Sequence, residues 1–210
     1  MSTAYNSQVA AIILAAGKST RMGEAKQLLR LGESTVLGQT IENVRRAAVN
    51  EIVLVLGASA ETIRCRLPAP LLQGLKVVVN PQYEQGMASS LRAGLGALAP
   101  QIDAALIVLA DQPFVRPETL DQLCRKHRQT QAQMVIPSYR GRRGNPVLLD
   151  RSVFPQVMAL EGDTGCRAIF SSHTERTVNL EVEDEGILLD LDNQEDYERL
   201  RGVSPPHTGE

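Results

Sequence analysis

Ile12-Ile13-Leu14-Ala15-Ala16-Gly17-Lys18-Ser19-Thr20-Arg21-Met22-Gly23, followed by Lys26, is the stretch that decides the fold. An apolar run ends in a loop of small residues, and two cations, Arg21 and Lys26, follow at five-residue spacing. A run that is apolar without alternation suits a strand buried on both faces, as in a parallel sheet covered by helices. Ligands of such sheets bind outside the carboxyl ends of the strands. The loop offers backbone N–H groups, an arginine fork and a mobile ammonium to a polyphosphate. Gly17-Lys18-Ser19 imitates the end of a P-loop, but that pattern needs a glycine where this chain has Ile12. Gly17 and Gly23 lack the intermediate glycine of a dinucleotide fingerprint. The same residues also suit an ordinary strand-to-helix loop with solvated cations.

Working outward, apolar runs alternate with helical patterns. Strands are expected at 9–15, 52–56, 75–79 and 104–109, with helices from about 34, at 60–67 and at 87–98. From about residue 133 the pattern changes to an extended segment, a turn-rich stretch over 139–145 and a further extended piece. Late strands are expected at 176–182 and 187–191, and a closing helix at 194–200. The fold class is therefore α/β, a Rossmann-like doubly wound and mostly parallel sheet with a small extended or hairpin insertion. Residues 1–201 are expected to form one domain and 202–210 a disordered tail.

Composition narrows the function. A formal charge of −2 gives no basic footprint, so nucleic acid is not an expected partner. No apolar run approaches the roughly 18 residues of a membrane span, so no membrane partner is expected. Met1 to Gln8 lacks the pattern of a secretory signal. Cys65, Cys124 and Cys166 fit neither a zinc spacing nor a disulfide framework. A cytoplasmic protein is the expectation.

Candidate chemistry gathers in three further places. Leu109-Ala110-Asp111-Gln112-Pro113 puts a carboxylate at the carboxyl end of a central strand, a position suited to Mg²⁺, which takes one or two protein carboxylates and shares substrate phosphates. In Leu189-Asp190-Leu191-Asp192-Asn193, alternation places Asp190 and Asp192 on one face of an extended segment. Either is a second metal ligand, while Asp192 or Asn193 also suits the cap of the closing helix. After the polar loop that starts at Asn80, Ser89 and Ser90 suit either a nucleobase edge or a helix cap. His127 and His173 read as surface residues, and no Ser–His or Cys–His pair asks for explanation.

Taken in order, Leu14-Ala15-Ala16-Gly17 with Ser19, Arg21, Gly23 and Lys26, then Asn80-Pro81, Gly86-Met87-Ala88-Ser89-Ser90-Leu91 and Leu109-Ala110-Asp111-Gln112-Pro113, resemble the molybdenum cofactor cytidylyltransferases. Tyr139 to Pro146, Gly162-Asp163-Thr164-Gly165 and Asp190-Leu191-Asp192 match later motifs, so the resemblance spans about 9–200. It departs at Asn145, where His is usual, and at Cys166, where Ala is common. The resemblance implies a sheet of the nucleotide-diphospho-sugar transferase type and transfer of CMP from CTP to the terminal phosphate of a molybdopterin-type cofactor. It implies a nucleotide site of Leu14, Ala15, Ala16, Gly17, Ser89 and Ser90, with Arg21, Lys26 and Asp111 catalytic. Arg142, Arg143, Gly144, Asn145 and Asp163 would face the acceptor, and Asp111 with Asp192 and Asp190 would hold Mg²⁺. Related guanylyltransferases carry a second glycine where this chain has Ala16, which favours CTP. A molybdoenzyme or its maturation chaperone is the implied protein partner. The motifs leave open transfer to a sugar or polyol phosphate, guanylyl transfer to the same cofactor, and a non-catalytic cofactor-handling role.

Overall fold

The computed structural model describes residues 7–17 and 25–202. Arg21 and the expected tail beyond 202 lie outside the described residues. In chain order the elements are β1 (Val9–Ala15), β2 (Arg30–Leu31), β3 (Ser34–Thr35), α1 (Val36–Arg46), β4 (Glu51–Leu56), α2 (Ala60–Arg66), α3 (Ala69–Leu72), β5 (Lys76–Val79) and α4 (Met87–Gly96). They continue with β6 (Ala104–Leu109), α5 (Pro117–Thr130), β7 (Met134–Tyr139), β8 (Arg142–Arg143), β9 (Val147–Asp150), α6 (Phe154–Met158), β10 (Thr177–Glu181) and α7 (Gln194–Leu200).

The main sheet runs in the order β10-β7-β9-β6-β1-β4-β5, with β8 paired to β7. β6, β1, β4 and β5 pair in parallel, as do β7 and β10. Only β9, antiparallel to both β6 and β7, and the short β8 run against them. The expected α/β architecture with a mainly parallel sheet is what the chain forms. The insertion from residue 133 supplies β8 and β9.

Side chains of β1 alternate between two cores, which is why its sequence is apolar throughout. Ala11 and Ile13 join a cluster with Leu37 and Ile41 of α1, Ile63 of α2 and Leu120 of α5. Ile12 faces the other way, toward Leu91 and Leu95 of α4 and Val157 of α6. Ile12 and Ile13 are fully buried, and each contributes on the order of 1.5–3 kcal/mol by removal from water. An acid at either place would leave an unpaired charge between sheet and helix.

Two expectations need correction. The helix expected from Ser34 begins at Val36, because Ser34 and Thr35 pair with Leu31 and Arg30 as a hairpin. Thr35 then caps α1, its Oγ1 accepting from the Gly38 N–H at 3.0 Å. Residues 187–191 form no strand. Glu185–Leu188 is a 3₁₀ turn, and the backbone groups that follow bond to loops: Asn145 N–H donates to the Ile187 carbonyl at 3.1 Å, and Leu191 N–H to the Asp111 carbonyl at 3.0 Å. Asp190 and Asp192 therefore reach the site on a loop tied to Asp111, not by strand alternation.

Candidate active site

β1 and β6 end side by side. The Ala110 N–H donates to the Leu14 carbonyl at 3.1 Å, carrying the pairing one residue past β6 and placing Asp111 beside the small-residue loop. Together these ends open a cavity of about 540 Å³ lined by Leu14, Ala15, Ala16, Gly17, Lys26 and Asp111, with Ser90 and Asp163 also on its wall. Among the described residues, no atom lies within 4 Å of where a Cβ at Gly17 would stand. Gln27, buried beneath the loop, donates through Nε2 to the Ala15 and Gly17 carbonyls at 3.4 Å each. Its role was not visible in the sequence, since a glutamine after a lysine carries no motif.

The centre of the site is charged. Lys26 Nζ lies 2.6 Å from Asp111 Oδ2 and 3.2 Å from Asp192 Oδ1. Burial alone would push the Lys26 ammonium toward neutrality; the attraction and hydrogen bonds of Asp111 and Asp192 outweigh it and hold the pKa above the ordinary lysine value. Asp190 is half-buried and accepts from Gln112 Nε2 at 2.7 Å. Burial, together with the nearby charge of Asp111, raises the Asp190 pKa, the bond from Gln112 acting in the opposite sense.

These carboxylates suit a divalent cation. Asp111 Oδ1 is buried and has no hydrogen-bond partner among the described residues, while Oδ2 and Asp192 Oδ1 already converge on one positive group. Among the described residues no three His, Cys, Asp or Glu side chains cluster closely enough to hold a metal alone. That arrangement fits Mg²⁺ or Mn²⁺ better than zinc, because these hard cations take one or two carboxylates and complete their shell with phosphate and water.

A second cavity, of about 340 Å³, adjoins the first across Met87, Leu109 and Asp111. Its other walls include Asn145, Cys166, Arg167, Asp190 and Asp192. Burial pushes the Cys166 thiol up to about 12, so it lines the wall as a small apolar group. Gly144 is pressed against the Ile187 carbonyl, which a Cβ would approach to 2.3 Å. Arg142 and Arg143 are exposed on β8, and neither lines the two cavities that meet at Asp111. Asp163 belongs to the first cavity, and its Oδ1 accepts from the Met87 N–H at 3.3 Å.

The serines separate. Ser90 lines the first cavity, whereas the Ser89 hydroxyl is committed to the Gln82 and Gly86 carbonyls at 2.9 and 2.8 Å. The Asn80 amide donates to both hydroxyls, which fixes this end of α4. Gly86, and neither serine, is the N-cap residue. Asn193 caps α7, its Oδ1 accepting from the Asp196 N–H at 2.9 Å. His127, expected at the surface, is wholly buried, with Nε2 3.0 Å from Asp150 Oδ2. His173 is half-buried, its Nδ1 2.8 Å from Gln133 Oε1.

Two adjoining cavities that share a partly buried carboxylate, beside a lysine and a small-residue loop, suit transfer between two anionic substrates. Residues 11–177 match the model of the MobA-like NTP transferase domain. The chain belongs to that family. It is 31% identical over 199 residues to a nicotine blue oxidoreductase of Paenarthrobacter nicotinovorans, covering 91% of this chain and 96% of that one. It is 26% identical over 193 residues to the molybdenum cofactor cytidylyltransferase of Escherichia coli (strain K12), covering 91% and 94%. Among solved structures, a complex of Mycobacterium tuberculosis H37Rv Rv0371c with manganese superposes with a TM-score of 0.81 at 31% identity, covering 94% of this chain and all of that one. As a member of the family, the chain carries a nucleotidyltransferase domain.

Proposed function

We propose that this family member transfers CMP from CTP to the terminal phosphate of the molybdenum-pyranopterin cofactor. An oxygen of the acceptor phosphate attacks the α-phosphorus of CTP, the bond from that phosphorus to the β-phosphate oxygen breaks, and pyrophosphate leaves. The observation that carries this reading is the Lys26–Asp111–Asp192 cluster, set where the two cavities meet. The relative named as a molybdenum cofactor cytidylyltransferase, similar over nine-tenths of this chain, supports the choice of donor and acceptor.

A phosphate monoester has a second pKa near about 6, so the acceptor is a dianion at neutral pH and needs no general base. The barrier is repulsion between two anions, and catalysis rests on preorganised charge and position. Leu14 to Gly17 receive the triphosphate, with Ala15, Ala16 and Ser90 framing the base. Lys26 supplies an ammonium to the phosphates, and Arg21 from the same loop a guanidinium. Asp111 and Asp192, with Asp190 beside them, would hold Mg²⁺, which supplies charge neutralisation for the triphosphate and the leaving pyrophosphate. Asn145 and Arg167 present hydrogen-bond donors to the acceptor from the second cavity. A molybdoenzyme or its maturation chaperone would receive the product, in the cytoplasm.

The relative named as a nicotine blue oxidoreductase motivates a redox reading as the rival. The test is pyrophosphate release from each of the four ribonucleoside triphosphates, with and without the molybdenum-bearing pyranopterin phosphate, alongside oxidation of a reduced nicotinamide. CTP-specific release that requires the pterin supports transfer; nicotinamide oxidation without pyrophosphate release refutes it.

A further inference from the structure

Beyond the reaction cavity lies a third basin, of about 430 Å³, that no step of nucleotidyl transfer uses. Arg167 and Phe170 line both this basin and the cavity beside Asp111, so the two spaces share that wall. The rest of the lining is polar and carries no carboxylate: Arg143 from β8, Ser171, Thr174, and Thr177 and Asn179 from β10. Among the described residues neither Arg143 nor Arg167 forms an ion pair, whereas Arg116, Arg199 and Arg201 all do. Two guanidinium groups among hydroxyls and an amide make a site for an oxyanion, because guanidinium presents parallel N–H donors that match carboxylate, phosphate or sulfate oxygens.

The backbone under Arg143 is fixed. Arg143 pairs with Ser138 in the sheet, Gly144 N–H donates to the Pro137 carbonyl at 2.9 Å, and Asn145 N–H to the Ile187 carbonyl at 3.1 Å. Arg143 thus stands on a pinned hairpin, two residues before Asn145, which lines the reaction cavity. Arg167 follows Cys166 in a short 3₁₀ helix and bridges the two spaces. Arg167 thus stands on the wall between the cavity beside Asp111 and the outer basin, which Arg143 also lines.

We propose that Arg143 and Arg167 form a second anion subsite, and that the acceptor is anionic at both ends. One end is the phosphate that reacts beside Asp111; the other carries an oxyanion group held in the outer basin. The placement of the reacting end rests on the nucleotidyl-transfer reading, while the outer subsite rests on its own lining. A small monoanionic or neutral-tailed phosphate would leave this subsite unused and would be a poor acceptor.

The test has two arms on the full chain. In the first, sodium sulfate is titrated at constant ionic strength while the arginine Nε–H NMR resonances of Arg143 and Arg167 are followed, assigned from the Arg143→Gln and Arg167→Gln variants. Saturable shifts of both are expected, with sulfate affinity at Arg167 weakened about tenfold in Arg143→Gln. Absence of a saturable shift, or equal affinity in that variant, overturns the subsite. This arm involves no catalysis, so it stands or falls independently of the nucleotidyl-transfer reading. In the second, KM values are measured with CTP and the molybdenum-bearing pyranopterin phosphate. Arg143→Gln is expected to raise the acceptor KM about tenfold, well beyond any change in the KM for CTP, and Arg143→Lys to recover part of the loss. An unchanged acceptor KM, or equal change in both, overturns the two-ended acceptor.

Discussion

The Lys26 ammonium lies 2.6 Å from Asp111 Oδ2, joining two residues 85 positions apart in the chain. One follows the small-residue loop above β1 and the other the end of β6. Their pairing ties the loop side of the site to its carboxylates. Both side chains are mostly buried, so each charge depends on the other: removing either leaves a poorly hydrated ion behind. Asp192 shares the same ammonium, which makes the cluster a three-member unit with one cation between two acids.

Asp111→Asn removes a charge without changing shape. Pyrophosphate release should fall by at least about 100-fold, the scale seen when one preorganised electrostatic group is lost from a reaction centre. Circular dichroism should show a folded protein. Turnover close to that of the parent chain would remove Asp111 from the reaction.

Lys26→Ala should act in two directions. Use of the triphosphate, read as kcat/KM, should drop about tenfold or more, because a charge-assisted contact contributes about 1.5–3 kcal/mol. In the absence of nucleotide, the same variant should bind Mn²⁺ more tightly than the parent, since Asp111 and Asp192 no longer have the ammonium between them. Calorimetric titration with Mn²⁺ checks this. Weaker metal binding in the variant would mean that the two acids do not form the cation site.

Much of this site was legible because its chemistry is local. Leu14 to Gly17 follow an apolar strand, and Asp111 follows another, so period and position suffice to put them at one edge of a parallel sheet. The direction of β9 was not legible, since a short apolar run reads the same whichever way it runs. The segment 187–191 alternates like a strand, yet its backbone partners are Asn145 and Asp111, residues distant in sequence. His127 continues the buried face of α5 set by Leu120, Leu123 and Cys124 at helical spacing, so its burial was legible; its partner Asp150, 23 positions later, was not. Gln112 was legible as a loop residue but not as the donor that holds Asp190.

The buried His127–Asp150 contact sets an acid response. Burial by itself would raise the Asp150 pKa; hydrogen bonds from His127 and Ser152 outweigh it and hold the carboxyl below its ordinary 3.8. A depressed pKa means that the stabilisation is present above 3.8 and is lost as pH falls through the lower folded value. Asp150→Asn should therefore be less stable than the parent at neutral pH and lose less stability on acidification. Urea midpoints between about pH 5 and pH 2 measure this. Parallel curves for the two proteins would contradict it.

Gly86 holds φ at 91° at the start of α4, and a Cβ there would stand 2.4 Å from the Gly162 carbonyl. Gly86→Ala combines an unfavourable backbone with a clash against the loop that carries Asp163. A loss of more than about 1 kcal/mol is expected, lowering Tm by at least about 2–4 °C for a chain of this size. An unchanged Tm would show that the loop yields freely.

In the proposed reaction, Asp111 and Lys26 serve nucleotidyl transfer to a phosphorylated pterin. The most direct measurement is pyrophosphate release from CTP, GTP, ATP and UTP by the full chain with Mg²⁺, with and without the molybdenum-bearing pyranopterin phosphate, in the parent and in Asp111→Asn. Release from CTP alone, dependent on the pterin and lost in the variant, is the predicted result. Release that ignores the pterin, or that survives in Asp111→Asn, would contradict it.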